Sequence, residues 1–351
     1  MKILRGSILT YRIYDVASEI DLSKIQTARA EISKKFGKKL VYFRNPPAIL
    51  FFEEILFKNL NTQVFAKFYE FGAISIILKI SLENMRVEKL YEVFREILEG
   101  EDVDEISKIY LNKVFEQYKF CLKKPSIYSD YEDYTIVYVQ NFDRKLKSYE
   151  VLEEIDIAKL LLGEKYNLSE QTQSSLLRNK FSYSDEDLVI LSWDSSFIYE
   201  PDGIMDVPDL IEFANAQLLE LRYYDSYLDS VLDETYNTIE HFRGSIFEYP
   251  KYQRVLKRLL LLYNEITEAK EMILNSLKII EDSYFAKIYS KMLEILGAYS
   301  WQRSIDSKER TLFEIYNFLS AQVSHRRLEF LEILIIVVIV LEALIFMFLK
   351  I

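Results

Sequence analysis

Residues 64–82 read "VFAKFYEFGAISIILKISL". Two runs rich in Val, Ile, Phe and Tyr flank Gly72, and this pattern predicts two antiparallel strands joined by a turn near that glycine. The segments around the hairpin alternate between strand and helix periodicity. They predict strands at 7–16, 133–142 and 187–201 and helices at 22–37, 87–100 and 156–164. Together they favour a mixed α+β head domain over residues 1–203.

The composition favours long helices after this head. Among 351 residues there are only 8 Gly and 6 Pro, so few residues interrupt regular structure. Hydrophobic residues make up 50% and charged residues 28% of the chain, which excludes a disordered protein. The net charge of −11 disfavours general nucleic-acid binding. The single cysteine, Cys121, excludes an internal disulfide and fits a reducing compartment.

Residues 204–326 carry heptad-like apolar stripes. Pro208 lies near the predicted start of the first helix, and Gly244 is a predicted stop. The stripes consist of Leu218, Leu221, Leu228, Leu232, Ile239 and Phe242, then Val255, Leu259, Leu262, Ile266, Ala269, Ile273 and Ile280, then Ile305, Leu312, Ile315, Leu319 and Val323. They predict a long-helix antiparallel bundle or stalk. Two alternatives stay open: an intramolecular core and an intermolecular coiled coil.

The chain ends in a long apolar run, "LEFLEILIIVVIVLEALIFMFL", from Leu328 to Leu349. As a helix, these 22 residues would span roughly 33 Å, close to the ~30 Å hydrocarbon core of a bilayer. The run predicts a single C-terminal transmembrane helix, with an anchor at 327–351; the alternative is a buried soluble helix. The predicted fold is therefore an α+β head, a helical bundle and a membrane anchor.

The flanks of this run predict its orientation. Arg326 and Arg327 precede it and Lys350 follows it, so the positive-inside bias places the N-terminal portion in the cytoplasm, or in the matrix of a mitochondrion. We expect Arg326, Arg327 and Glu329 at the membrane interface. The sequence thus predicts a tail-anchored, single-pass membrane protein.

Glu342 lies well inside the apolar run. A charged carboxylate near the bilayer centre costs about 2.5–3.5 kcal/mol. One interpretation is an intramembrane polar contact between copies or with a membrane-protein partner. The other is a neutral carboxyl tolerated by its strongly apolar surroundings.

One basic cluster stands out in the acidic chain, at "KKFGKK" and the arginine after it. Its members are Lys34, Lys35, Lys38, Lys39 and Arg44. One interpretation is structural, because cations stabilise a helix C-terminus and Gly37 would end that helix. The other is a contact with RNA, a ribosome or acidic headgroups.

The sequence predicts no catalytic residue, no metal ligand and no cofactor. His241 and His325 are the only histidines, and neither lies in a zinc-binding pattern. The phosphate-binding GxxxxGK[ST] and the GxSxG nucleophile motif do not occur. Acidic stretches such as "EGEDVDE" lack the spacing of a metal loop, and we interpret them as solvated or helix-capping carboxylates.

The C-terminal part resembles the "required for meiotic nuclear division" family of tail-anchored proteins. The matching residues are Trp301, Lys308, Leu312, Ile315 and Tyr316, then Arg327, Leu328 and Glu329, then Glu342, with "YEFGAISI" (69–76) as a weaker match in the head. Phe330 departs from the tryptophan common in the family. The resemblance implies an α+β head, long helices and one C-terminal span. Eukaryotic members sit in mitochondria and support organelle translation, but the family supplies no catalytic site.

The preferred hypothesis is a non-enzymatic, tail-anchored protein that assembles with itself or with partners through its helices and presents a binding head. The alternative is a membrane tether for ribosomes or RNA through the basic cluster. A third hypothesis, an enzyme in the head, requires a deep pocket with convergent polar groups. The expected partners are accordingly a membrane, a second copy or a membrane protein, and nucleic acid or a ribosome.

Overall fold

The structure is a computed structural model that describes residues 1–25, 45–240, 249–275 and 282–349. The chain divides into two units. The first comprises Met1–Tyr223 and Glu271–Trp301, and the second comprises Tyr224–Lys270 and Gln302–Ile351. In the described part, the first unit contains a large sheet with helices and the second contains helices.

The described strands all lie in the first unit. They are β1 (Lys2–Asp15), β2 (Glu19–Ile20), β3 (Ala48–Phe57), β4 (Leu60–Phe68), β5 (Ala73–Ser81), β6 (Met85–Arg86), β7 (Leu122–Lys123), β8 (Tyr131–Phe142), β9 (Lys180–Phe181), β10 (Leu188–Leu191) and β11 (Ser195–Tyr199). Nine of them form one sheet in the order β3-β4-β5-β1-β8-β11-β10-β9, with β6 paired to β1, while β2 pairs with β7. Within the large sheet β8 and β11 run parallel, and the other pairs are antiparallel.

β1 is the central strand, paired with β5 on one side and β8 on the other. Every residue from Ser7 to Asp15 is buried. A strand that is covered on both faces shows no simple alternation of exposed and buried positions. Only its first residues, up to Gly6, reach the surface.

Helices cover one face of the sheet. They are α1 (Val87–Glu99), α2 (Asp102–Tyr118), α3 (Ser148–Glu154), α4 (Ile157–Leu161) and α5 (Glu170–Leu177). α1 buries Leu90, Val93, Phe94 and Ile97, spaced three or four residues apart, as expected for one stripe of a helix. This stripe belongs to the same apolar core as Val137 of β8.

The opposite face carries the first part of α6 (Asp206–Glu240) and α8 (Ser283–Ile295). Asn215 of α6 donates a hydrogen bond to the Tyr11 hydroxyl on β1, 3.1 Å away. On α8, the Met292 sulfur lies 3.9 Å from the Tyr134 hydroxyl of β8. Because helices pack on both faces, the sheet forms the middle layer of the first unit.

The predicted hairpin turn at Gly72 is confirmed. The amide of Tyr69 donates to Ala73 O and the amide of Gly72 to Tyr69 O, which closes the turn between β4 and β5. Gly72 has φ +116°, a conformation that L side chains rarely adopt. A Cβ at this position would lie 1.8 Å from the carbonyl oxygen of Ala17. Glycine is required here by both the backbone conformation and the close approach.

The second unit contains the rest of α6, most of α7 (Tyr249–Asn275) and most of α9 (Ala298–Leu349). Its core joins residues from all three predicted stripes: Val231, Leu232, Leu259, Leu262, Leu312 and Leu319. For these residues the intramolecular alternative is confirmed. α7 and α9 run antiparallel, since Thr267 contacts Glu309 while Lys270 contacts Asp306.

The predicted transmembrane helix is wrong. Within the described residues, no helix combines the length and the apolar character needed to cross a membrane. α9 carries Glu329, Glu332 and Glu342 among its apolar residues, and carboxylates are unfavourable in hydrocarbon. This finding also corrects three predictions that depended on the span. They are the C-terminal anchor, the tail-anchored membrane protein and the single-pass localisation with a cytoplasmic or matrix-facing head.

Candidate functional site

On the face of the sheet under α6, β1 is lined by apolar and aromatic side chains near Leu9 and Tyr11 and by polar side chains near Arg5 and Ser7. Leu9 and Tyr11 lie beneath the start of α6, where they contact a small cavity also lined by Pro208. Arg5 and Ser7 precede them on the same side of the strand, since side chains two residues apart share a face. Around Arg5 and Ser7 the sheet forms an open pocket of about 350 Å³. We call this the Arg5–Lys79 pocket.

Four neighbouring strands supply the polar lining of the Arg5–Lys79 pocket. Its cations are Arg5 and Lys79, its hydroxyl groups include those of Ser7, Ser81 and Tyr138, and its amides are those of Asn61, Gln63 and Gln140. The register explains their proximity: Ser7 pairs with Ser81 and Tyr138. Gln63 of β4 in turn pairs with Lys79 of β5. Side chains on paired residues of one face are immediate neighbours.

A local irregularity positions Arg5. The pairing of β1 with β8 shifts register on both sides of this residue, between Ile3 and Arg5 and between Arg5 and Gly6. Such bulges bend a strand and redirect a side chain, and they are frequent beside binding sites. Arg5 is exposed, whereas Lys79 is half-buried at the inner end of the pocket.

The two cations have no ion-pair partner among the described residues. Burial lowers the pKa of Lys79, and the positive charge of Arg5 lowers it further. Burial raises the pKa of Tyr138, and Arg5 is among the groups that oppose this rise. The protein therefore holds two cations close enough to repel each other.

Two glutamates lie at the rim of the pocket, and the loop around Gly203 forms one of its walls. Glu54 and Glu83 line it, and both are exposed, where water screens their charge. On the wall, the Tyr138 hydroxyl donates to Ile204 O at 3.1 Å. Gly203 has φ +74°, and a Cβ there would lie 2.4 Å from Nε2 of Gln140. The backbone conformation of the loop at Gly203 is thus one that favours glycine.

A second cavity, of about 20 Å³, lies beneath α6. Lys79 and Met205 line both spaces. At its inner end, Nζ of Lys67 lies 2.9 Å from Oδ1 of Asp209 and 2.5 Å from Oε2 of Glu212. Burial lowers the pKa of Lys67, but the two carboxylates outweigh this effect and raise it. Glu212 is buried, and burial, together with the charge of Glu212 and a hydrogen bond to it, raises the pKa of Tyr69.

This geometry suits the binding of an anion. Two cations converge with amide and hydroxyl donors, the groups that proteins use for carboxylates and phosphates. In the residues that the structure describes, no group of three or more His, Cys, Asp or Glu side chains is arranged to hold a metal ion.

The residues predicted from the sequence lie elsewhere. Lys34, Lys35, Lys38, Lys39 and Arg44 fall outside the described residues, so the RNA or ribosome contact stays a prediction. Glu342 lies on α9 and is exposed, and its predicted contact stays a prediction.

The predicted membrane-interface residues also lie on α9. Glu329 lies 3.4 Å from Nε2 of His325. The side chains of Arg326 and Arg327 are outside the described part. The interface role predicted for these three residues depended on the membrane span corrected above.

The sequence analysis missed Arg5 and Lys79. Lys79 interrupts an apolar strand, and Arg5 and Ser7 alternate with apolar residues at the start of β1. Those two signals are visible in the sequence. Arg5 and Lys79 are neighbours because β1 pairs with β5, and this pairing joins residues that are far apart in the sequence.

In the comparison with known proteins, a family model matches within the first unit, and a relative matches over most of the chain. A family model described as "Uncharacterized protein MJ0711, N-terminal domain" matches residues 5–206, a range that includes Arg5 and Lys79. The chain is also 25% identical over 284 residues to "Uncharacterized protein MJ0711" from Methanocaldococcus jannaschii, covering 80% of this chain and 81% of that protein. No solved structure matches. The predicted membership of the meiotic nuclear division family is wrong, because the matching family is this archaeal one.

Proposed function

The chain belongs to the family described as "Uncharacterized protein MJ0711, N-terminal domain", and within it we propose a non-enzymatic binding protein whose first unit holds a small anion. The observation that carries this proposal is a pair of cations, Arg5 and Lys79, that have no ion-pair partner among the described residues and line a polar pocket of about 350 Å³. That volume lies in the range of small-molecule sites, about 300–1,000 Å³.

Electrostatics favours an anion between these side chains. Two neighbouring cations repel each other, and a bound carboxylate or phosphate removes that repulsion while accepting hydrogen bonds from both. The half-buried position of Lys79 strengthens its interaction with an anion, since water screens it less.

The test is titration calorimetry of the full chain with inorganic phosphate, sulfate and acetate. We expect saturable binding of at least one anion, and a roughly 10- to 100-fold weaker affinity in the double variant Arg5→Gln, Lys79→Gln, since two charged hydrogen bonds are lost. The double variant Arg86→Gln, Lys180→Gln removes the same charge at exposed positions of the first unit and is the matched control. Equal affinity in both double variants, or no anion binding in the unaltered chain, would refute the proposal.

A second function is favoured by the last helix. Large apolar side chains from Leu328 to Phe346 are each at least 44% exposed. A helix that is apolar on all sides is normally covered. An interface of ordinary size takes about 800 Å² from each partner, and this segment offers roughly that area or more. We propose that α9 assembles with the same segment of a second copy.

Light scattering of the full chain tests this assembly. We expect an oligomer whose mass falls when Ile336→Arg and Val340→Arg place charges in the segment, whereas Glu332→Arg, at a position that is already charged, leaves the mass unchanged. If Glu342 makes a polar contact between copies, Glu342→Leu also changes the mass. A monomeric unaltered chain at all concentrations would rule out this function.

A further inference from the structure

We propose that the anion of the Arg5–Lys79 pocket carries several hydroxyl groups, as sugar acids and sugar phosphates do. The inference rests on the proposed anion-binding function and adds the class of ligand. Its basis is the rest of the pocket lining, which places carboxylates and amides beside the two cations. A hydroxyl group both donates and accepts hydrogen bonds, so it can use both kinds of partner.

The register of the sheet places a carboxylate and a cation at opposite ends of one row of side chains. Glu54 of β3 pairs with Gln63 of β4, and Gln63 pairs with Lys79 of β5. Paired residues share a face of the sheet. Because neighbouring strands lie about 4.8 Å apart, the backbones at Glu54 and Lys79 are separated by roughly 10 Å. An anionic group at Lys79 therefore leaves space along the row for a further part of the same molecule.

Side chains in this part of the pocket have unused hydrogen-bonding groups. Among the described residues, the amides of Asn61 and Gln63 have no hydrogen-bond partner. The carboxylates of Glu54 and Glu83 likewise have neither a hydrogen-bond nor an ion-pair partner in the described part of the chain. A carboxylate only accepts hydrogen bonds, so a bare anion gains nothing from Glu54 and Glu83 and is repelled by them. An anion with hydroxyl groups can donate to both.

The lining offers little to an apolar ligand. Of the described residues that line the pocket, Met205 alone has an aliphatic side chain. An alkyl chain would cover the amides and carboxylates without replacing the hydrogen bonds that they make to water, which is unfavourable. Hydroxyl groups replace those hydrogen bonds. The chemistry of the lining therefore favours a hydroxylated anion over an alkyl anion of the same length.

Calorimetry of the full chain with matched pairs of anions tests the inference. One pair is gluconate and hexanoate, six-carbon carboxylates with and without hydroxyl groups. The other is glycerol 3-phosphate and propyl phosphate, which differ in the same way on three carbons. We expect the hydroxylated member of at least one pair to bind roughly ten-fold more tightly, because hydrogen bonds to charged groups are the stronger ones. The pair that shows the preference identifies a sugar acid or a sugar phosphate. Binding that persists in the Arg5→Gln, Lys79→Gln variant lies outside the pocket and is subtracted.

The double variant Glu54→Ala, Glu83→Ala separates hydrogen bonding by the rim from simple repulsion. It removes two negative charges, so we expect inorganic phosphate and the alkyl anions to bind as tightly as before or more tightly. The hydroxylated anions lose their acceptors, so their preference over the alkyl anions should fall to about one. The matched control is Glu53→Ala, Glu92→Ala, which removes the same charge at exposed positions of the first unit outside this pocket and should keep the preference. Melting curves check that both double variants fold.

Equal binding within both pairs of anions would overturn the inference and leave anion binding intact. A preference for hydroxylated anions that survives Glu54→Ala, Glu83→Ala would also overturn it. Binding of none of the four anions, nor of inorganic phosphate, would overturn anion binding itself.

Discussion

Asp15, at the end of β1, and Glu220, on α6, are buried carboxyl groups whose charges interact. They are 4% and 1% exposed. Burial raises the pKa of Asp15 to about 7. Burial also raises the pKa of Glu220 well above its usual value, and the charge of Asp15 raises it further. Oε1 of Glu220 has no hydrogen-bond partner in the described part of the chain. The sheet and α6 therefore meet across a pair of like charges.

This pair predicts that stability falls as the pH rises. Both groups bind protons more tightly in the folded than in the unfolded chain, so their contribution is fully present below the unfolded pKa, near 4. It is lost as the pH rises through about 7 for Asp15, and as it rises through the raised pKa of Glu220. Glu220→Gln removes one charge, so we expect its free energy of unfolding at pH 8 to exceed that of the unaltered chain by on the order of 1–3 kcal/mol.

Urea denaturation between pH 5 and pH 9 measures this difference. The control is Glu92→Gln, an exposed glutamate of α1 whose replacement should leave the pH profile unchanged. A Glu220→Gln profile parallel to that of the unaltered chain would contradict the coupling.

Gly72→Ala should be severely destabilising. The new methyl group would meet Ala17 O at 1.8 Å, and φ +116° is itself unfavourable for alanine. We expect a loss of about 3 kcal/mol or more in the free energy of unfolding. Gly297→Ala is the matched control, because Gly297 also has positive φ (+67°) but has only the Ser300 hydroxyl nearby, at 3.7 Å. Equal losses at both positions would mean that the contact with Ala17 contributes nothing.

Parts of the fold follow directly from local sequence. The β4–β5 hairpin was predictable because Gly72 separates two runs rich in Val, Ile, Phe and Tyr and tolerates the required backbone conformation. The stripe through Leu232, Leu259 and Leu312 was predictable because helical spacing places these residues on one face of each helix.

Other features depend on contacts between distant residues. Arg5 and Lys79 become neighbours only because β1 inserts between β5 and β8, which no local pattern encodes. The membrane prediction relied on an apolar run that contains three glutamates, and no helix in the described residues is long and apolar enough to cross a membrane. The family prediction relied on about fifty C-terminal residues, whereas the matching family model covers residues 5–206.

Lys67→Met tests how much the buried ion pairs of Lys67 with Asp209 and Glu212 contribute to the free energy of unfolding. Lys67 is 6% exposed, and its removal would leave the carboxylates of Asp209 and Glu212 without their cation. We expect a loss of about 3–5 kcal/mol in the free energy of unfolding. Adding Glu212→Gln should restore part of it, since one buried charge is then removed. Lys58→Met, whose partner Asp102 is exposed, should cost less than about 1 kcal/mol. A small loss at Lys67 would show that water reaches the cluster.

In the second unit, Lys308 of α9 interrupts the apolar contact with α6 by pairing with two acids. Its Nζ lies 2.9 Å from Oδ1 of Asp225 and 2.6 Å from Oδ1 of Asp229. Asp225 is 7% exposed, so Lys308→Met would leave a buried carboxylate unpaired, and we expect a loss of about 1–3 kcal/mol. Thermal unfolding measures the loss, with Arg258→Met as control, because Arg258 pairs with Glu234 on the surface of the same unit. If both variants melt alike, Lys308 serves only as a solvated surface charge.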